Sequence, residues 1–263
     1  MVLRSGPRPI VVGALVSLAL VVASAPAPAQ ILNVQPLLAR EAEEGLSGAV
    51  DGSADWRGGN VDLLLLSGSV VGRLLHGPHL VFLMTRAEIG RQGDARFVNR
   101  DIEHLRYRYA AGGPWFGEVF VQHDRDEFRR LALRALWGAG PRVESSVGAM
   151  RVAAGMAYMM ELEELQGDEA ADAGLSMLNH RVSSYAMVTI RVAERIRLGH
   201  TFYVQPRIDR PADVRLLADT ELVLSASAAL SMKIALSLAF DSEPPAGVQA
   251  VDGIRKASLQ LNF

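Results

Sequence analysis

Between Leu222 and Phe240 the chain is apolar enough to suggest a membrane-spanning helix, with Lys233 as its only formal charge. The residues sort by parity instead. Leu222, Leu224, Ala226, Ala228, Leu230, Met232, Ile234, Leu236, Leu238 and Phe240 fall on one side. Val223, Ser225, Ser227, Ala229, Ser231, Lys233, Ala235, Ser237 and Ala239 fall on the other. A helix would spread the serines and Lys233 round its circumference, whereas a strand collects them on one face. The segment therefore predicts two strands joined by a turn near Ser227 to Ala229.

The same period of two recurs elsewhere, with longer polar side chains on the second face. Val188, Ile190, Val192, Leu198, Phe202 and Val204 oppose Arg191, Arg197, Tyr203 and Gln205. Strands are expected at about 46–56, 60–74, 79–90, 97–110, 115–124, 128–138, 147–160, 181–194, 196–206, 214–226, 230–241 and 254–263. That gives twelve, an even number, as a closed antiparallel transmembrane β-barrel of the bacterial type requires. Closure is expected because unpaired backbone groups in hydrocarbon cost several kcal/mol each. A soluble β-sandwich would also alternate, but it needs no second face this polar.

The N-terminus supplies an address. Arg4 and Arg8 precede an apolar run from Ile10 to Val22 and the small-residue stretch Ser24-Ala25-Pro26-Ala27-Pro28-Ala29, the order of a cleavable secretory signal over 1–29. Residues 30–45 are then a periplasmic lead-in and 46–263 the barrel. Without Arg4 and Arg8, 27 − 2 = 25 basic residues face 29 acidic ones, a net charge of −4. A nucleic-acid partner is excluded for want of basic excess. With no cysteine, neither a disulfide framework nor a lipidated N-terminal Cys is available.

Connection lengths and aromatic placement agree with a barrel in the bacterial outer membrane. Tight connections are expected at His76 to Pro78, Gly112 to Pro114, near Arg195 and at Ser227 to Ala229. A longer one is expected at Ala139 to Ser146, where Gly138-Ala139-Gly140-Pro141 is a turn signal. The longest, Glu161 to His180 and Asp241 to Gly253, follow odd-numbered strands and so face outward. Tyr107, Tyr109, Trp115, Trp137 and Phe263 are expected at the periplasmic rim, where amphipathic rings settle. The ending Leu259-Gln260-Leu261-Asn262-Phe263 makes Leu259, Leu261 and Phe263 the expected signal to the barrel assembly machinery. It also makes the last strand the partner of both its predecessor and the first strand near Leu46 to Trp56.

Several blocks resemble a known family: Phe97-Val98-Asn99-Arg100, His104-Leu105-Arg106-Tyr107, Glu118-Val119-Phe120-Val121-Gln122, and Glu127-Phe128-Arg129-Arg130-Leu131 through Arg134-Ala135-Leu136. His180-Arg181-Val182-Ser183-Ser184-Tyr185, Tyr203-Val204-Gln205-Pro206-Arg207 and Phe240-Asp241-Ser242-Glu243-Pro244-Pro245 fit the same pattern. From about Phe97 onward the chain is similar to the uncharacterised salt-induced outer membrane proteins of Gram-negative bacteria, a domain of unknown function. The resemblance implies a barrel and no activity, because that family offers no agreed site residues.

The polar parity gathers Arg86, Arg106, Arg108, Arg130, Arg134, Arg151, Arg191, Arg197, Arg215 and Lys233 against Glu88, Glu118, Asp219 and Glu221. Ten cations against four anions in a confined lumen would favour anions, unless the groups cross-link and fill it. His123-Asp124-Arg125-Asp126-Glu127 is expected at an outer hairpin tip, where it could hold a divalent cation or, with a second carboxylate pair, cleave peptides; a solvated loop is simpler. Asn179-His180 with Ser183 and Ser184 has the residue types of a hydrolase, but His180 and Ser183 lie on opposite faces of a strand. Glu161, Glu163, Glu164, Asp168, Glu169 and Asp172 read as an acidic outer loop without calcium-loop spacing. No phosphate loop, dinucleotide fingerprint or zinc motif is present.

These features predict no catalysis, no cofactor and no metal. They predict lipid and lipopolysaccharide as surroundings, and either a narrow anion-favouring channel or a non-conducting barrel serving the envelope under osmotic stress.

Overall fold

Twelve strands satisfy the alternation: β1 (Gly45–Arg57), β2 (Leu63–His76), β3 (His79–Gln92), β4 (Ala95–Gly112), β5 (Trp115–Asp126), β6 (Leu131–Val147), β7 (Met150–Leu165), β8 (Ser176–Ala193), β9 (Ile196–Pro206), β10 (Val214–Ser225), β11 (Leu230–Asp241) and β12 (Val251–Leu261). This computed structural model describes residues 31–38, 44–167, 169–227 and 230–261; the expected signal at 1–29, Asp168 and Phe263 lie outside them. Each strand pairs antiparallel with the next in sequence, giving one sheet. The shortest strands have 11 residues. At about 3.3 Å per residue and a tilt of roughly 40°, that gives about 28 Å of height, enough for an apolar band of about 25 Å.

The connections at 77–78, 113–114, 148–149 and 194–195 are two residues long, and those at 166–175, 207–213 and 242–250, which share their end with the two-residue connection 93–94, are the longest. They fall at opposite ends of the sheet, here called the turn end and the loop end. Two expectations at the turn end are corrected. Gly138-Ala139-Gly140-Pro141 is no turn, because β6 runs on to Val147 and turns at Gly148, whose φ of +58° suits glycine. The small residues serve packing: a Cβ on Gly138 would strike the Phe120 ring, and one on Gly140 the backbone of Met156. Trp137 accordingly lies within β6, opposite Val121 and Met160, and not at a rim.

The expected closing pair is not formed in this sheet. β12 pairs with β11 and β1 with β2, and among the described residues no ladder joins β1 to β12. β1 carries Ser47, Gly48, Asp51, Gly52 and Ser53, so few side chains fix its position against another edge. Leu46, Val50 and Trp56 are correspondingly about four-fifths exposed.

The sheet nevertheless curls round an interior. Arg129, in the 3-10 turn Glu127–Arg129 after β5, reaches Asp252 on β12 at 2.9 Å. The segment 31–38, ending in the helical turn Gln35–Leu38, crosses that interior. Val34 and Leu38 pack with Leu80 and Phe82, while Ile31 packs with Tyr185, Tyr203, Leu217 and Ala239.

Candidate functional site: the polar interior

Parity assigns each strand an outward and an inward face. Outward on β10 and β11 stand Leu216, Ala218, Leu222, Leu224, Met232, Ile234, Leu236, Leu238 and Phe240, and on β7 and β8 Val152, Met156, Met160, Leu178, Val182, Val188 and Ile190. Inward stand the buried charges: Arg106, Arg108 and Glu118, then Asp124, Arg134 and Arg142, then Glu161, Glu163, Arg181, Asp213, Arg215 and Asp241. An apolar outside around a buried ionic inside inverts the order of a water-soluble fold.

Two carboxylates organise the interior. Toward the loop end, Glu161 of β7 has no exposed surface. It accepts from Arg134 Nε and Arg181 Nε at 2.6 Å each, and from Arg215 Nη1. Arg215 also holds Glu163 at 2.8 Å and Asp241 at 3.1 Å, and Arg181 holds Asp213 at 2.9 Å. Nearer the middle, Glu118 of β5 binds Arg106 at 2.9 Å and Arg108 at 3.0 Å, while Tyr185 Oη donates to it at 2.8 Å. Arg108 and Arg142 share Glu144 at 2.9 and 2.7 Å. Flat rings fit over missing side chains here: Tyr185 covers Gly155 as Phe120 covers Gly138.

The segment 31–38 is tied into the second cluster. Gln35 is fully buried; its Nε2 donates to Tyr203 Oη at 3.0 Å, and its Oε1 accepts from Arg142 Nη1. Asn33 Nδ2 donates to Asp219 at 2.8 Å. The segment thus bridges the β2–β3 wall and the β8–β11 wall by apolar contact on one side and hydrogen bonds on the other.

At the loop end, Arg130 takes the left-handed conformation (φ +58°) after the 3-10 turn and pairs with Asp172. Asp172 also accepts from the Ala246 N–H at 2.7 Å, so the 166–175 and 242–250 loops are joined. That N–H and the Arg130 guanidinium hold the Asp172 carboxyl below its ordinary value of 3.8.

The expected residues divide accordingly. Arg106, Arg108, Glu118, Arg134 and Arg215 meet in the two clusters. Arg130 is a loop clamp and not a lumen residue. Arg86 and Glu88 pair at 3.0 Å near the loop end, whereas Arg191, Arg197, Lys233, Asp219 and Glu221 lie toward the turn end, and Lys233 pairs with Glu221. Arg151 faces inward at the turn end of β7.

The expected ten-to-four excess of positive charge shrinks to near balance in the buried interior. Arg73, Arg106, Arg108, Arg134, Arg142, Arg181 and Arg215 are seven buried cations against six buried carboxylates, Glu118, Asp124, Glu161, Glu163, Asp213 and Asp241, with the half-buried Glu144 as a seventh. Glu161 and Glu163, expected in an outer loop, are strand residues of β7. The signal for them was the odd parity running through Met159, Glu161 and Glu163, continued by Arg181, Ser183 and Tyr185 on β8. Nothing in the sequence marked Gln35.

His123 is likewise a strand residue and not a hairpin tip. It faces outward and contacts Glu103 at 2.6 Å and Asp101 at 3.8 Å, the one group among the described residues able to surround a cation. His180 faces outward to Tyr158 Oη at 2.6 Å, while Ser183 faces inward and accepts from Gln205 Nε2 at 2.8 Å, so no hydrolase set assembles.

Residues 87–263 match the family model for a protein of unknown function, DUF481. The chain belongs to the DUF481 family. Among curated proteins none matches this DUF481 chain. Among solved structures it is similar to the NanC porin, at 8% identity and a TM-score of 0.49, covering 82% of this chain and 99% of that one. It is also similar to the translocator domain of the autotransporter NalP from Neisseria meningitidis, at 13% identity and a TM-score of 0.46, covering 88% and 92%.

Proposed function

We propose that this DUF481 protein is an integral outer-membrane β-barrel, exported by a cleaved signal and inserted by the barrel assembly machinery, whose lumen is closed at rest. Its role is structural, in the envelope under osmotic stress, without catalysis or cofactor. The observation that carries the reading is the inversion: apolar side chains dominate the outward faces, and the inward faces bury ion pairs bridged by the segment 31–38. Lipid and lipopolysaccharide suit such an exterior, since bare charge in hydrocarbon costs several kcal/mol.

Closure of β1 on β12 in the bilayer follows from the same energetics, because an open edge has no water to bond to. The chain has no native cysteine, so cysteines introduced singly in β1 and β12 report the seam alone. Oxidation in isolated membranes should cross-link at least one pair placed on facing edges, with an unboiled band that migrates apart from the boiled one. A single unshifted band and no cross-link at any register would refute the barrel.

A second reading is a channel favouring anions. It is supported by the inward-facing Arg151, Arg191, Arg197 and Lys233 at the turn end, where Glu221 and Asp219 are the nearby acids. On this reading the segment 31–38 must leave before ions pass.

A further inference from the structure

Beside the segment 31–38 lies a cavity of about 400 Å³, within the size range of small-molecule sites. Asn33 and Leu37 of the segment form one side; Thr189, Arg197, Asp219, Glu221, Lys233 and Ser237 contribute from β8–β11. The charged groups of this wall other than Arg197 have partners. Lys233 pairs with Glu221, and Asp219 accepts from Asn33 at 2.8 Å and Ser237 at 2.5 Å.

Arg197 is different. It faces inward directly opposite Arg191 in the β8–β9 register. Among the described residues neither guanidinium has an ion pair or a side-chain hydrogen bond. Like charges directly opposite on one sheet face repel, and a small anion lying between them would turn that repulsion into attraction. Met187, Leu37 and Ala235 give the same cavity an apolar side, suited to the body of an organic molecule. We infer that the cavity is a binding site for a small organic anion, a carboxylate or phosphate ester, anchored by Arg197 with Arg191 beside it.

Lys233 neutralises Glu221, and against the one remaining carboxylate, Asp219, which Asn33 and Ser237 hold, stand the two guanidinium groups of Arg197 and Arg191. The inference goes beyond the proposed function and does not depend on conduction. A barrel closed to ions can still bind a solute from its turn end, so failure of one leaves the other standing.

The test is calorimetric titration of the folded, signal-free chain in detergent with benzoate, with phenyl phosphate, and with neutral benzyl alcohol of similar shape. At least one anion should bind about tenfold or more tightly than the alcohol, as a charge-assisted bond predicts; which anion does so identifies the headgroup class. Arg197→Ala should remove that advantage, and Arg197→Lys should keep part of it. Arg191→Ala, with Arg197 intact, should weaken the anion several-fold. Each variant is compared with the parent by its heat-shifted gel band. Anions that bind no better than the alcohol, or an Arg197→Ala protein folded and unchanged in affinity, would overturn the inference.

Discussion

Removing the charge of Glu161 is the sharpest perturbation of the interior. Glu161→Gln preserves shape and leaves one carbonyl acceptor, but it deprives Arg134, Arg181 and Arg215 of the carboxylate they share. These three arginines are at most 4% exposed, so water cannot replace what is lost. Breaking a buried ion pair by deleting one partner costs about 3–5 kcal/mol, which is roughly two to three and a half orders of magnitude in the folding equilibrium. Arg215 retains Glu163 and Asp241, and Arg181 retains Asp213, so the lower end of that range is expected.

The assay is urea unfolding in micelles, read as the fraction of protein in the unboiled, folded gel band. Glu103→Gln is the matched control, since its His123 partner lies on the outward face with both side chains nearly half exposed; it should cost no more than about 1 kcal/mol. A Glu161→Gln protein as resistant to urea as Glu103→Gln would show that the arginines are not held by that carboxylate, and the account of the interior would fail.

Two further consequences are open to measurement. The Asp172 carboxyl is held below 3.8 by the Ala246 N–H and Arg130. A group depressed in the folded state stabilises above its unfolded value, and that contribution is lost as pH falls through the folded value. The 166–175 loop should therefore resist pepsin near pH 4 and become cleavable at more acid pH, with Asp172→Asn cleavable at both; equal cleavage of the parent at both pH values would contradict the clamp. Gly140→Ala places a Cβ against the Met156 backbone, which cannot yield as a flexible side chain would. It should lower the yield of heat-shiftable protein well below that of Gly117→Ala, where the added Cβ meets open space; equal yields would refute the close approach of β6 and β7.

The strands were legible because lipid-type burial on one face and polar burial on the other leaves a period of two that no helix reproduces. The sequence expectation met β9 and β11 at both ends, 196–206 and 230–241. It failed where glycine and proline serve packing instead of turning. Gly138 to Pro141 reads locally as a turn, and only the Phe120 ring and the β7 backbone, distant in sequence, explain it. Glu161 and Glu163 read as loop acids because carboxylates in a run usually mark solvent. Their partners Arg134, Arg181 and Arg215 come from three other strands, so the pairing is a property of topology and not of spacing. The role of 31–38 left no local trace, since a short polar and apolar segment has no period to betray it.

Blockage of the lumen by residues 31–38 is the central claim, and single-channel recording in planar bilayers tests it most directly. The signal-free chain should be silent, and the same chain lacking 31–38 should show discrete conductance steps with its heat-shifted band unchanged. Equal conductance in the two proteins would contradict the claim.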